Sequence, residues 1–264
     1  MHSLINANTV GTIRKTGNTD DSLPDRTEIL KAHDLPFDQP AENIIITGCQ
    51  ITGAMPQILK KYSEILGQAE ITHTFLSMEF CCGNNLYRPA IKAKDDEAMT
   101  ECRSLSKEFV SLNIKKAKEL GAKRIIIFCS SCYPIYKHAF PEENIVFYPQ
   151  AISEAISDLS WSEPIDYYAG CYRLHKKFSS VPMDLKSTNQ VFKKIHNLSI
   201  NRISAPTCCF KPDGLDHMLK NVQTKYMVHV CTGCYLQALI NKKDDKDFQV
   251  LMLPEFIHLL LQES

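Results

Sequence analysis

The chain carries no net charge. Thirty basic residues balance thirty acidic ones among 264, so no broad electrostatic footprint for nucleic acid or an anionic membrane is present. Small lysine groups, such as Lys115, Lys116 and Lys118 or Lys242 and Lys243, sit beside acids and read as solvated faces. No stretch approaches the roughly 18–20 consecutive apolar residues that span a bilayer. The first residues lack a basic segment followed by an apolar one, so no secretory leader is read and a cytoplasmic setting is expected. Glycine is scarce, with ten in the chain. Neither GxGxxG nor GxxxxGK[ST] occurs, which leaves a dinucleotide or P-loop site without support. The ferredoxin run CxxCxxCxxxCP is also missing.

Cysteine, by contrast, is abundant and ordered. Ten of the eleven cysteines form two sets with one pattern: a lone cysteine, an adjacent pair, then CxxC. The first set is Cys49, Cys81, Cys82, Cys129 and Cys132. The second is Cys171, Cys208, Cys209, Cys231 and Cys234. Cys102 is left over and reads as a packing residue on an amphipathic helix. Reduced cytosolic thiols in CxxC spacing are more often metal or redox groups than disulfides. Five thiols per set exceed the four of a tetrahedral zinc site. The economical reading is two iron–sulfur sites on two related half-domains. Zinc in one site, buried thiols and a thioredoxin-like dithiol are the competing readings, the last weakened because a dithiol needs only two cysteines.

The surrounding sequence repeats with the cysteines. Short β-branched or apolar runs at Ile44–Thr47, Ile71–Leu76, Arg124–Phe128 and Asn144–Tyr148 read as strands. Helical spacing falls at 55–67, at 95–120 in one helix or two, and at 150–159. Ile165–Tyr168, Arg202–Ala205, Tyr226–Val230 and Phe248–Leu253 repeat the strand pattern, with a helix at 255–262. A tyrosine follows each CxxC, at Tyr133 and Tyr235. Such duplication constrains the fold strongly. The expected class is α/β, with two pseudo-symmetric halves. Each half is a small, mostly parallel sheet flanked by helices, with cysteine loops at the carboxyl ends of the strands, where ligands collect in such sheets. The expected boundaries are 1–40 as an N-terminal extension, 41–160 and 161–264. Residues 1–40 show little periodicity and read as an extended arm.

The double set, with Gly83 completing Cys81-Cys82-Gly83, resembles the CCG-domain family, the cysteine-rich domain found in heterodisulfide reductase. The resemblance covers about residues 43–264. It implies that all ten cysteines are ligands of two noncubane [4Fe-4S] clusters and that a small disulfide is cleaved or formed between them. It also implies partners: a ferredoxin-type iron–sulfur subunit, a flavoprotein, or both, since the chain has no cluster motif for bringing in electrons. Three departures stand out. The Cys82–Cys129 gap is long at 46 residues, the Cys209–Cys231 gap is short at 21, and Phe210 replaces the usual glycine. The short gap corresponds to the loss of about one helix.

Among the histidines, His175 and His229 lie near Cys171 and Cys231 and are candidate proton donors, because imidazole titrates near neutrality. Arg173 and Lys211 read as surface cations that could also balance cluster charge. The leading function is an iron–sulfur catalytic subunit of a heterodisulfide-reductase-like oxidoreductase. The alternatives are an electron-transfer subunit of a 2-hydroxy-acid dehydrogenase and a zinc-bound interaction module without turnover.

Overall fold

The computed structural model describes residues 1–170, 181–243 and 247–263. Its architecture is mixed α/β, and its strands form two four-stranded sheets and one two-stranded sheet. The first sheet contains β1 (Asn43–Ile46), β2 (His73–Phe75), β3 (Arg124–Ile127) and β4 (Ile145–Phe147), in the order β2-β1-β3-β4. All its pairings are parallel. Ile44, Ile45 and Ile46 of β1 and Ile125, Ile126 and Ile127 of β3 are all buried. A parallel sheet covered on both faces requires such unbroken apolar runs.

After a short pair, β5 (Leu159–Ser160) with β7 (Ile195–His196), the second four-stranded sheet has the same connectivity. It comprises β6 (Ile165–Tyr168), β8 (Ile200–Ile203), β9 (Tyr226–His229) and β10 (Gln249–Met252). Their order is β10-β9-β6-β8, again parallel throughout. β6 takes the place of β1 and β8 that of β2, so the duplication read from the cysteines extends to strand order.

Two compact units result. One is built mainly on Met1–Lys60 and Ile71–Tyr148. The other is built mainly on residues 149–170, 184–243 and 247–263, together with Lys61–Glu70.

The region 95–120 is one continuous helix, Asp96–Glu119. The Asp95 carboxylate caps it by accepting from the Ala98 N–H at 2.8 Å. Lys116 and Lys118 in its last turn complement the helix dipole. Met99, Cys102, Leu105, Phe109, Val110 and Ile114 form its buried stripe. In the second unit a single helix, Pro212–Lys220, fills the shorter interval between the cysteine pair and CxxC. The first unit has both Tyr87–Ala93 and Asp96–Glu119 in that interval.

The extended arm expected at residues 1–40 is instead largely helical. Asn6 caps Ala7–Thr16, and Asp25 caps Arg26–Ala32. Each helix buries few side chains, Val10 and Ile13 in the first and Leu30 in the second. That narrow stripe is why the sequence shows little periodicity. Tertiary contact stabilises helices this short. Phe37 forms an isolated parallel bridge with Phe75 at the outer edge of β2.

Candidate functional site

Three strand ends deliver the first cysteine set. β1 leads to Cys49, β2 to Cys81 and Cys82, and β3 to Cys129, with Cys132 opening the helix Cys132–Ala139. Cys49 Sγ lies 3.3 Å from Cys81 Sγ, and Cys82 Sγ lies 3.2 Å from Cys132 Sγ. Cys81 also contacts Cys82, and Cys129 contacts Cys132. The five thiols therefore form one contiguous group. None is in a disulfide. Cys81, Cys82 and Cys132 are buried, while Cys49 and Cys129 are partly exposed.

The backbone around the pair is fixed residue by residue. The buried Glu79 carboxylate accepts from the N–H of Thr47 at 2.9 Å and of Gly48 at 2.6 Å. It also accepts from the Thr47 hydroxyl and pairs with Arg26 Nη2 at 2.8 Å. Arg26 extends the clamp by donating to the Leu76 carbonyl and to the Thr52 hydroxyl. Phe80 exchanges two hydrogen bonds, each 2.7 Å, with the side-chain amide of Asn113. The Cys81 N–H donates to the Gly17 carbonyl at 2.7 Å. Residues 79, 80 and 81 are thus held respectively by Arg26 and the 47–48 loop, by the long helix, and by the N-terminal segment. Sequence reasoning missed Arg26, Glu79 and Asn113. Glu79, two residues before the pair, was the only available signal.

Gly48 immediately precedes Cys49 and has φ +97°, a conformation glycine adopts readily and other residues do not. A Cβ there would stand 2.7 Å from Cys129 Cβ. The second set repeats the device. Gly170, with φ +95°, precedes Cys171, and a Cβ on it would stand 3.2 Å from both Cys231 Cβ and Cys234 Sγ. Cys171 itself, with Arg173 and His175, lies outside the described residues. The other four thiols of this set converge: Cys209 Sγ is 3.4 Å from Cys234 Sγ, and Cys208 and Cys231 adjoin them. Cys231 stands immediately before the helix Thr232–Asn241. Phe210 is exposed and lies against Gly233 within CxxC.

The same member of each pair becomes the anion. The Cys132 thiol donates to Cys82, which with the Cys81 contact brings the Cys82 pKa down to about 6. Donation from Cys208 and Cys234 brings Cys209 down to about 5. Their donors Cys132 and Cys234 are pushed up correspondingly. A thiolate is the metal-binding and nucleophilic form of cysteine.

Several other sequence candidates have different surroundings. His229 is wholly buried between the rings of Tyr168 and Tyr235, and among the described residues neither ring nitrogen has a hydrogen-bond partner. Burial pulls its pKa down to about 3. It is therefore a neutral core imidazole, and proton donation at neutral pH does not fit its position. Tyr133 packs on Phe147, and burial raises the Tyr235 hydroxyl to about 12. Cys102 is buried, and its thiol donates to the Leu86 carbonyl at 3.4 Å. The Lys211 N–H closes a turn onto the Cys208 carbonyl at 2.9 Å.

Among the described residues no three His, Cys, Asp or Glu side chains surround a single metal ion. The first donor set is all sulfur and has one member more than tetrahedral zinc takes. Soft thiolates in such a group fit a multinuclear iron–sulfur centre.

Residues 44–134 match the model of a family described as the cysteine-rich domain, CCG. All five cysteines of the first set fall within the match, and so do Glu79 and Asn113. The dihydromethanophenazine:CoB–CoM heterodisulfide reductase of Methanosarcina barkeri (strain Fusaro / DSM 804) has a subunit, the one designated D, that is 24% identical over 155 residues. That alignment covers 53% of this chain and 36% of the reductase polypeptide, so the chain spans about a third of that relative. A solved structure from Yersinia pestis, provisionally assigned as an Asp/Glu racemase, aligns over 83% of this chain and 96% of its own at 13% identity. Its TM-score of 0.36 bears on neither fold nor function. No helix among the described residues is long and apolar enough to cross a membrane.

Proposed function

We propose that this chain is an iron–sulfur subunit of a thiol–disulfide oxidoreductase complex. The carrying observation is the contiguous five-thiol group at three strand ends of a CCG domain, with four thiols of the second set grouped in the same way. Cys49, Cys81, Cys82, Cys129 and Cys132 would hold one cluster. Cys208, Cys209, Cys231 and Cys234, with Cys171, would hold the other. When bound, an iron–sulfur cluster supplies one-electron transfer and iron sites with affinity for sulfur.

The chain's own residues perform the rest. Cys82 and Cys209 are already thiolates near neutral pH, so metal binding displaces few protons at those positions. Glu79 and Arg26 hold the Cys49 loop against the cysteine pair, and Asn113 holds the residue before that pair. The proposed reaction consumes two electrons and two protons for each disulfide converted to two thiols. The electrons come from a ferredoxin-type or flavin-containing partner. His175 is the remaining histidine candidate for a proton donor in this reading.

The test is anaerobic purification followed by iron, sulfide and zinc analysis, with EPR of the reduced and thiol-oxidised forms. About eight irons with matching sulfide per chain are expected for two four-iron clusters. About four, with no signal change on adding a disulfide, would favour electron transfer to or from a hydroxy-acid dehydrogenase. Zinc without iron would overturn the redox reading.

A further inference from the structure

The two sheets differ at one edge. In the first, the outer side of β2 is closed by the chain itself. The Phe75 N–H donates to the Pro36 carbonyl at 2.8 Å, and the Phe75 carbonyl accepts from the Asp38 N–H at 2.9 Å. β8 occupies the same edge of the second sheet. Arg202 is the counterpart of Phe75, since each lies six residues before its cysteine pair. Each also stands beside the residue four before the lone cysteine, Tyr167 for Arg202 and Ile45 for Phe75.

The direction of the β8 backbone follows from one bond. The Ser199 carbonyl accepts from the Ile165 N–H at 2.9 Å, so Ser199 faces β6. Strand backbone groups alternate sides, so Asn201 and Ile203 also face β6, while Ile200 and Arg202 face outward. No described residue bonds to the outward N–H and C=O groups of Ile200 and Arg202. Unpaired edge groups of this kind are a template for strand addition.

The same two residues form one wall of a groove of about 740 Å³. The other wall is the helix Leu185–Lys193, which contributes Lys186, Asn189, Gln190 and Lys193, one helical face by spacing. Arg202 is held in place by a 2.9 Å bond to Asn189 and by the face of the Tyr167 ring. Among the described residues, Lys186, Lys193 and Arg202 make no ion pair. The groove therefore combines open strand groups with three uncompensated cations.

We propose that this edge docks an extended, acidic segment of a partner protein, which pairs with β8 at Ile200 and Arg202 and sets its carboxylates against Lys186, Lys193 and Arg202. The first sheet supplies the precedent for strand pairing, since there the backbone of Pro36 and Asp38 bonds to Phe75, the equivalent position. A second copy of this chain is the wrong occupant. Pairing β8 with another β8 would bring Arg202 and the helix lysines of one copy towards those of the other, and like charges across strands repel.

The test uses the full chain and two fluorescein-labelled heptapeptides, one alternating glutamate with valine and one alternating lysine with valine. Fluorescence anisotropy should show the acidic peptide binding about tenfold tighter or more at low salt, with the preference shrinking as salt rises. Arg202→Pro removes an N–H that the sheet itself does not use, and edge strands tolerate proline there. With an unchanged circular dichroism spectrum, Arg202→Pro should weaken acidic-peptide binding by about tenfold relative to Arg202→Ala, which removes the same charge. Equal binding by the two variants would mean charge attraction alone and overturn strand pairing. Equal affinity for both peptides, or binding of neither, overturns the proposal. So does a wild-type dimer in sedimentation that Arg202→Pro converts to monomer.

Discussion

Replacing Arg26 by methionine keeps much of the side-chain length and removes the charge that faces Glu79. The Glu79 side chain is 1% exposed and that of Arg26 11%, so water does not take over the lost contact. Removing one partner of a buried ion pair costs about 3–5 kcal/mol, because the remaining charge stays buried without compensation. Glu79 keeps its bonds from Thr47 N, Gly48 N and the Thr47 hydroxyl, which places the expected cost near the lower end, at about 3 kcal/mol. The assay is urea unfolding of the reduced chain, with Arg26→Met, Glu79→Gln and the double variant completing a cycle. The double variant should lose less than the sum of the two singles, with a coupling of about 1–3 kcal/mol. A second readout is the rate at which iodoacetamide labels each cysteine, followed by mass spectrometry. Arg26→Met should speed labelling of Cys49 and Cys81 and leave Cys208 and Cys209 unchanged. A loss below about 1 kcal/mol, within the range of an ordinary surface pair, would refute the claim that this pair holds the Cys49 loop.

Two further outcomes follow from local geometry. Gly48→Ala puts a methyl 2.7 Å from Cys129 Cβ at a φ of +97°; it should cost about 1–3 kcal/mol and lower metal retention by the first set. Gly67→Ala, a helical position with nothing within 4 Å of the added methyl, should be neutral or slightly stabilising in the same measurements, and equal behaviour of the two variants would sink the argument. His73 has its pKa lowered by burial, against a 2.8 Å contact with the Ile71 carbonyl. As pH falls, the unfolded chain takes up the proton first, so its contribution is complete above the unfolded value of about 6.5 and declines below it. His73→Gln should flatten that part of the stability–pH curve between about pH 6.5 and 5, and an unchanged difference between urea midpoints at the two ends would refute it.

The strands were legible because parallel sheets buried on both faces require runs such as Ile44–Ile46 and Ile125–Ile127, and no other element uses such short β-branched runs so regularly. The cysteine loops were legible because they follow those strands directly. The helices at Ala7–Thr16 and Arg26–Ala32 were not, since each buries only one or two side chains and is held by distant contacts. Arg26 and Glu79 are 53 residues apart, and nothing local marks them as partners. The burial of His229 was equally hidden. Two residues before a CxxC, it looks like a site residue, yet it is the last residue of β9, opposite Tyr168 and Met252, where β3 has Ile127.

The duplication also separates what a strand-end thiol group requires from what one copy has added. Both copies retain a positive-φ glycine before the lone cysteine, a pair whose second member is the anion, and a CxxC that opens a helix. These features set where the sulfurs stand and which of them is charged. The clamp does not recur. Ala169 stands in the place of Thr47 and Pro206 in the place of Glu79, so the second loop has neither the hydroxyl nor the carboxylate through which Arg26 acts on the first. Among the described residues, the second thiol group is assembled from strand ends, one glycine and a helix start, without a clamp of this kind. The ion pair in the first copy ties its cysteine loop to the N-terminal segment, and the same segment closes the outer edge of β2, while among the described residues nothing bonds to the matching edge of β8.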